Sequence, residues 1–193
     1  MAGSKNFPHG AGRSSFDLID QDTFFAALGL KGTETLVDLG CGRGNYALPL
    51  ARRLPQGTVW AVDLWEEGLE DLKARAYKEK LTRIQVLRAD ISQPLPLPAE
   101  SVDVVLMATV LHDLAEAGEA PGALAETARL LKPQGRLAVV EFQKIPGPPG
   151  PPVEIRLSSG DTLTLAAPYG LTQRAYLELG PYLYLLILTK NSG

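Results

Sequence analysis

The chain has 193 residues, of which 45% are hydrophobic and 21% are charged, and its formal net charge is −3 at pH 7. This length fits a single domain that buries a core, and the negative net charge argues against a nucleic-acid partner. A single cysteine, Cys41, excludes an internal disulfide, and with two histidines it cannot build a cysteine-rich zinc site. No apolar run is long enough for a membrane span, so we expect a cytoplasmic protein. From the cysteine and histidine count we expect no bound metal.

Residues 1–32 are predicted to form an N-terminal arm followed by short helices. Residues 1–14 have no hydrophobic periodicity, whereas apolar residues from Phe16 to Leu28 recur at helical spacing. Asp22 is predicted to cap the second of these helices, which would end near Gly29 or Gly32. The arm is either an ordered lid or a floppy terminus.

From residue 33 to residue 193, short apolar runs alternate with amphipathic helical segments. Strands are predicted over residues 35–39, 58–64, 84–90, 102–108 and 136–142, and helices over residues 44–54, 66–79 and 121–131. This alternation is typical of right-handed βαβ units, and it predicts an α/β fold with a doubly wound sheet and helices on both faces.

The end of the chain departs from this alternation. The run IPGPPGPP (145–152) is predicted to be a stiff loop, and a short helix is predicted from Ser158 or Ser159 to residue 167. Residues 171–179 and 182–190 are two further strands joined only by Gly180-Pro181, a connection so short that the pair must be antiparallel. The predicted core is therefore Rossmann-like and seven-stranded, with five parallel strands plus a C-terminal antiparallel hairpin.

Three glycines follow the first predicted strand at every second position in LVDLGCGRGNY (36–46). Ligands of doubly wound sheets bind beyond the carboxyl ends of the strands, where the strand order reverses. Bare main chain at Gly40, Gly42 and Gly44 would let a ligand come closer than a Cβ atom allows. The alternative is a tight strand-to-helix turn, because a lone glycine-rich turn is a weak signal.

Two acidic residues at later strand ends extend this predicted site. Asp63 ends the second strand, 19 residues after Gly44, where a carboxylate accepts hydrogen bonds from both ribose hydroxyls. Asp90 follows the third strand and is placed to reach an adenine amino group. The alternative for each of them is a helix N-cap.

The spacing of the glycines selects among adenosine-bearing ligands. Asn45 occupies the position of the third glycine in the dinucleotide motif Gly-x-Gly-x-x-Gly. Asp38, two residues before the first glycine, is awkward beside a pyrophosphate but favourable near a sulfonium or an α-ammonium group. The pattern therefore favours S-adenosylmethionine over NAD, and an NAD-dependent oxidoreductase is a weaker alternative.

The motifs, in this order, resemble class I S-adenosylmethionine-dependent methyltransferases over roughly residues 33–190. Beside the terminal hairpin, four stretches carry the resemblance: VDLGCGRG (37–44), AVDLWEEGLE (61–70), LRADISQPLPLPAESVDVVLMATVLHDL (87–114) and RLLKPQGRLAVVEF (129–142). The resemblance implies a single methyltransferase domain, residues 1–193, that moves a methyl group to a small-molecule acceptor by in-line displacement. Relatives of similar pattern include quinone-ring and arsenite methyltransferases, but the arsenite reaction needs several thiols and this chain has one.

The resemblance also implies which residues contact the cofactor. Gly40 and Gly42 would line the methionine moiety, Asp63 would hold the ribose, and Asp38 would act through water or the ammonium group. The full set of implied cofactor-binding residues is Asp38, Gly40, Cys41, Gly42, Asp63, Leu64, Asp90, Ile91, Ala108 and Thr109.

His112, just after the fourth strand, is the candidate catalytic residue because histidine titrates near neutrality and can take a proton from the acceptor. Its alternative is a histidine that orders the loop, with Asp113 capping the segment after it. Within the arm, which also contains His9 and Ser15, the candidate substrate or lid residues are Arg13, Ser14 and Phe16. An alternative for the whole chain is a protein that binds S-adenosylmethionine or S-adenosylhomocysteine without catalysing a reaction.

Overall fold

The computed structural model describes residues 14–191, so the predictions on His9 and Arg13 lie outside the described residues. Its strands are β1 (Thr35–Leu39), β2 (Thr58–Asp63), β3 (Ile84–Arg88), β4 (Val102–Ala108), β5 (Leu131–Phe142), β6 (Leu171–Glu178) and β7 (Leu183–Lys190). They form a seven-stranded sheet of order β3-β2-β1-β4-β5-β7-β6. Strands β1 to β5 are parallel, and β7 runs antiparallel to β5 and β6. The predicted fold class is confirmed.

Helices cover both faces of this sheet. They are α1 (Gln21–Leu28), α2 (Ala47–Arg53), α3 (Glu66–Lys78), α4 (Leu111–Glu116), α5 (Ala120–Leu130) and α6 (Ser159–Ala166). Helices α1 to α3 contribute to one apolar cluster and α4 to α6 to the other. Consecutive β1 residues such as Leu36 and Val37 enter opposite clusters, which explains why this strand is apolar almost throughout. Across residues 14–191, every helix is too short or too polar to span a lipid bilayer.

Local chemistry accounts for the helix boundaries that differ from the sequence-based expectation. Asp20, rather than the predicted Asp22, caps α1 and accepts a hydrogen bond from the Thr23 amide at 3.0 Å. Helix α2 begins at Ala47 instead of residue 44, because the glycine loop occupies the residues before it with positive φ angles. The sequence does not predict helix α4, since six residues are too few to show a helical period.

The loop that follows β5 folds around the guanidinium group of Arg156. This residue is 3% exposed, and its guanidinium carbon lies 5.6 Å from the ring centroid of Phe142. It donates hydrogen bonds of 2.6–3.2 Å to the backbone carbonyl oxygens of Gln143, Ile145, Gly147, Pro149 and Pro151. These five bonds satisfy the buried cation with main-chain oxygens and fix the loop at the carboxyl end of β5.

Candidate functional site

A cleft opens at the carboxyl ends of β1 and β4. These two strands are neighbours in the sheet, and the strand order reverses between them. It is lined by the loop after β1, the end of β4 and the first described residues of the chain: Ser14, Ser15, Gly40, Cys41, Gly42, Arg43, Asn45, Tyr46, Ala108 and Thr109. The structure thus brings six predicted site residues to one cleft, namely Ser14, Gly40, Cys41, Gly42, Ala108 and Thr109.

The three glycines of the β1 loop serve different purposes, although each has a positive φ angle of 53–76°. A Cβ atom at Gly40 would lie 2.8 Å from Val110 Cγ2, and one at Gly44 would lie 2.3 Å from a methyl carbon of Leu72. These two glycines are therefore needed for packing. A Cβ atom at Gly42 would meet no heavy atom within 4 Å. Gly42 is therefore the glycine of the three whose main chain borders open space in the cleft.

Asp63, at the end of β2, holds the glycine loop in place. Its Oδ2 accepts a hydrogen bond of 2.7 Å from the Gly42 amide, and its Oδ1 accepts one of 2.8 Å from the Trp65 amide. The N-cap residue of α3 is Trp65, so the alternative interpretation of Asp63 as the helix N-cap is wrong. A carboxylate has about four acceptor sites, which leaves Asp63 able to accept further hydrogen bonds from a ligand.

Asp38 is buried next to this loop without a partner for one of its oxygens. The side chain is 1% exposed, and Oδ2 has no hydrogen-bond partner in the described part of the chain. Burial, together with the negative charge of Asp63, raises the pKa of Asp38 to about 8, so the carboxyl group is mostly protonated at neutral pH. Burial also raises the pKa of Cys41, which keeps the sulfur in its thiol form.

The other residues predicted on the adenine side, Leu64, Asp90 and Ile91, are not among the residues that line this cleft. Asp90 Oδ1 accepts hydrogen bonds from the Ser92 amide at 2.9 Å and from Ser92 Oγ at 2.7 Å, in a turn that no helix follows. The N-cap alternative for Asp90 is therefore wrong. Ile91 is buried in the core, and the side chain of Leu64 is 52% exposed.

A short chain of hydroxyl groups joins the N-terminal segment to the cleft. Ser15 Oγ lies 2.9 Å from the Tyr46 hydroxyl and 3.2 Å from Thr109 Oγ1. Burial raises the pKa of Tyr46, so this phenol remains neutral. Phe16, predicted as a substrate or lid residue, instead packs in the core with its ring centroid 4.9 Å from that of Tyr46. Tyr46 was not predicted as a site residue, although it is an aromatic residue next to the glycine loop.

His112 is buried in the first turn of α4 and is held by Glu141 of β5. Its Nδ1 lies 2.7 Å from Glu141 Oε2, and its backbone amide donates a hydrogen bond of 3.2 Å to Glu141 Oε1. Burial disfavours the charged imidazole, but the hydrogen bond and charge of Glu141, together with the charges of Asp113 and Glu116, outweigh it, so the pKa of His112 is raised. Glu141 was not predicted, although a single acid in the apolar strand sequence RLAVVEF was a usable signal.

A protein-family model described as "Methyltransferase domain" matches residues 37–139, which is more than half of the chain. The chain belongs to this family. Residues 37–139 of this methyltransferase domain contain the glycine loop, Asp63, Asp90, Thr109 and His112.

Relatives and solved structures agree with this membership. The chain is 31% identical over 129 residues to 27-O-demethylrifamycin SV methyltransferase of Amycolatopsis mediterranei, covering 67% of this chain and 46% of that protein. It is 33% identical over 129 residues to the ubiquinone/menaquinone biosynthesis C-methyltransferase UbiE of Dinoroseobacter shibae, and this match covers 66% of this chain and 50% of that protein. The matched region thus spans about half the length of these two relatives. A structure of a SAM-dependent methyltransferase from Aquifex aeolicus matches 93% of this chain and 94% of its own, with a TM-score of 0.82 and 28% identity.

Proposed function

We propose that this chain is an S-adenosylmethionine-dependent methyltransferase that acts on a small-molecule acceptor. The observation that carries the proposal is the open space at Gly42, together with the buried carboxyl group of Asp38, whose Oδ2 has no hydrogen-bond partner within residues 14–191. A Cβ atom would fill that space, and an unsatisfied buried acceptor is costly unless a ligand uses it. A ligand with an amino-acid ammonium group and an adenosine part suits both features.

The residues of the cleft fit this cofactor in a simple arrangement. The backbone of Gly40, Cys41 and Gly42 would contact its methionine moiety, while Asp38 would receive its ammonium group. Asp63 would bind the ribose hydroxyls with the acceptor sites that the two backbone amides leave unused. The remaining contacts are proposed for Leu64, Asp90, Ile91, Ala108 and Thr109. When bound, the cofactor supplies a methyl group on a sulfonium, which is already activated for displacement.

The contribution of the chain is then mainly orientation, which supplies up to about 7–11 kcal/mol in well-aligned reactions. We propose that His112 removes the acceptor's proton. If Nδ1–H donates to Glu141, Nε2, which lies 3.4 Å from Asp113 Oδ1, is the proton acceptor, and the two carboxylates stabilise the imidazolium that forms. Glu141 is in this scheme a positioning residue that fixes both the ring and the backbone of His112.

Calorimetry with S-adenosylmethionine and S-adenosylhomocysteine tests the cofactor assignment, with micromolar affinity, about −8 kcal/mol, as the expected result. NADH is the control ligand, since tight NADH binding without S-adenosylmethionine binding would support an oxidoreductase instead. Transfer of labelled methyl groups to small molecules of a cell extract would then separate an enzyme from a protein that only binds the cofactor.

The role of His112 is tested with an acceptor found in that screen. A base must be unprotonated, so kcat/KM rises with pH through the pKa of His112. Glu141→Gln removes one of the three carboxylate charges that raise this pKa, so we expect the acidic limb to move to lower pH in that variant and to disappear in His112→Gln. If Glu141→Gln lowers kcat/KM without moving the limb, Glu141 only stabilises the fold and His112 is not the base.

We further propose that the acceptor is a small molecule rather than a nucleic acid, because the chain carries no net positive charge. The Arg156 loop, at the carboxyl end of the strand next to β4, is proposed to form one wall of its binding site. The single cysteine agrees with the proposed cytoplasmic location.

A further inference from the structure

An open groove lies outside the cleft, between helix α3 and the edge strand β3. Its volume is about 380 Å³, and it is lined by Lys73, Ala76, Tyr77, Lys80, Leu81, Thr82, Ile84 and Val86. In the sheet formed by residues 14–191, β3 pairs on one side only, with β2. The groove therefore runs beside an unpaired strand edge, which is a template for pairing with another strand.

The backbone of β3 presents hydrogen-bonding groups to this open edge. The Arg83 carbonyl accepts a hydrogen bond from the Val59 amide, and the Ala89 amide donates one to the Asp63 carbonyl, so residues 83 and 89 face β2. Because these groups alternate along a strand, those of Val86 and Arg88 face away from β2. Val86 also lines the groove, so an added strand would find main-chain partners and an apolar surface together.

The segment that borders this groove is rich in lysine and arginine, of which Lys73 and Arg75 pair with Glu70 and Asp71. Residues 73–83 contain five lysines and arginines and one glutamate, whereas the whole chain has a net charge of −3. Glu79, the glutamate of this segment, pairs with Arg52. Within residues 14–191, no carboxylate forms an ion pair with the exposed side chains of Lys78, Lys80 or Arg83.

Tyr77 gives the groove an exposed aromatic side chain. It is 89% exposed and lines the groove together with Lys80 and the apolar residues Ala76, Leu81 and Val86. Lysines alone suffice to keep an edge strand from pairing with copies of itself. An apolar groove and an exposed tyrosine add nothing to such protection, but they provide contact surface for a bound peptide.

We propose that this edge binds an extended, acidic segment of a partner protein, which adds a strand next to β3. Alternate side chains of such a segment would enter the groove, and its carboxylates would face Lys78, Lys80 and Arg83. A second copy of this chain is disfavoured as the occupant, because it would bring the same basic residues against each other. The proposal is independent of the catalytic function.

The test uses a fluorescein-labelled twelve-residue peptide that alternates glutamate and valine, with a lysine–valine peptide as its control. Fluorescence anisotropy at low salt should give at least tenfold tighter binding of the glutamate peptide, with weaker binding as salt is added. Hydrogen exchange should show protection of the Val86 and Arg88 amides. A glutamate peptide that is N-methylated at alternate residues should lose this binding, and this control leaves the protein unchanged.

A charge-reversed double variant, Lys80→Glu with Arg83→Glu, should bind the glutamate peptide at least tenfold more weakly. Its matched control is Lys31→Glu with Arg174→Glu, which reverses two exposed basic residues elsewhere and should bind as the wild type does. Equal binding of the acidic and basic peptides, or no protection at Val86 and Arg88 at millimolar peptide, would overturn the proposal. So would a dimer in sedimentation that the charge-reversed variant strengthens, because the edge would then bind a second copy of the chain.

Discussion

Replacing Asp38 by asparagine should stabilise the cofactor-free protein, because the wild-type carboxyl group is buried and its Oδ2 has no hydrogen-bond partner in the described part of the chain. Its pKa is raised from the ordinary value of 3.8 to about 8 by burial and by the charge of Asp63. Between these two values the folded protein binds a proton that the unfolded chain has lost. The free energy of unfolding therefore falls as pH rises through this window and becomes constant above pH 8.

The size of the effect follows from the difference between the folded and unfolded pKa values. A tenfold difference in proton affinity corresponds to about 1.4 kcal/mol, so Asp38 lowers the stability of the wild type by up to about 4 kcal/mol at pH 7. Asparagine has nearly the same shape and no charge to bury, so Asp38→Asn should recover much of this free energy at pH 7 and little at pH 4. It should also weaken S-adenosylhomocysteine binding, since the ammonium group loses its carboxylate.

Urea denaturation at pH 5, 6, 7 and 8 measures this prediction, with Asp22→Asn as the control. Asp22 is an exposed carboxylate on α1, so its replacement makes the same chemical change without removing a buried group. The stability difference between Asp38→Asn and the wild type should increase across the series, whereas that of Asp22→Asn should change little. If the wild type and Asp38→Asn give parallel curves from pH 5 to pH 8, the reasoning about the buried carboxyl is wrong.

Four further substitutions have defined outcomes. Gly42→Ala should weaken S-adenosylhomocysteine binding in calorimetry at least tenfold, with about 1–2 kcal/mol lost in urea denaturation from its positive φ. Gly44→Ala should destabilise the fold by more than Gly42→Ala does, because its Cβ would overlap Leu72; equal losses in the two variants would contradict these assignments. Lys80→Gly should raise the unfolding free energy by about 1 kcal/mol, since Lys80 has a φ of 57° just after α3. Arg156→Met should speed hydrogen exchange in residues 143–157 and leave cofactor affinity intact; unchanged exchange would show that the guanidinium does not hold this loop.

The fold was predictable from the sequence because strand burial on both faces leaves a clear pattern. The runs at residues 35–39 and 102–108 became β1 and β4 without any change of boundary. The tight Gly180-Pro181 connection likewise predicted the antiparallel pair, which β6 and β7 form. Boundaries were less predictable where a side chain competes locally, as with Asp20 and Asp22 at the start of α1.

The candidate site was predictable only as far as main-chain geometry and sequence order determine it. The glycines were found because they cluster, but their separate roles depend on Val110 and Leu72, which lie far away in the sequence. His112 and Glu141 are 29 positions apart in the sequence, the first on helix α4 and the second on strand β5. No hydrophobic periodicity in the sequence indicates such a pair, so only the folded structure reveals this contact.

The hydrogen bonds of Arg156 hold the loop after β5 through its main chain and not through its side chains. All five of its acceptors are peptide oxygens, so the guanidinium holds the path of residues 143–151 without using the side chains of the loop. The exposed Lys144, Ile145 and Pro148 can therefore be exchanged while the loop keeps its course. In the proposed function this loop forms one wall of the acceptor site, so these exposed positions are the ones at which a combinatorial library would seek new acceptor preferences.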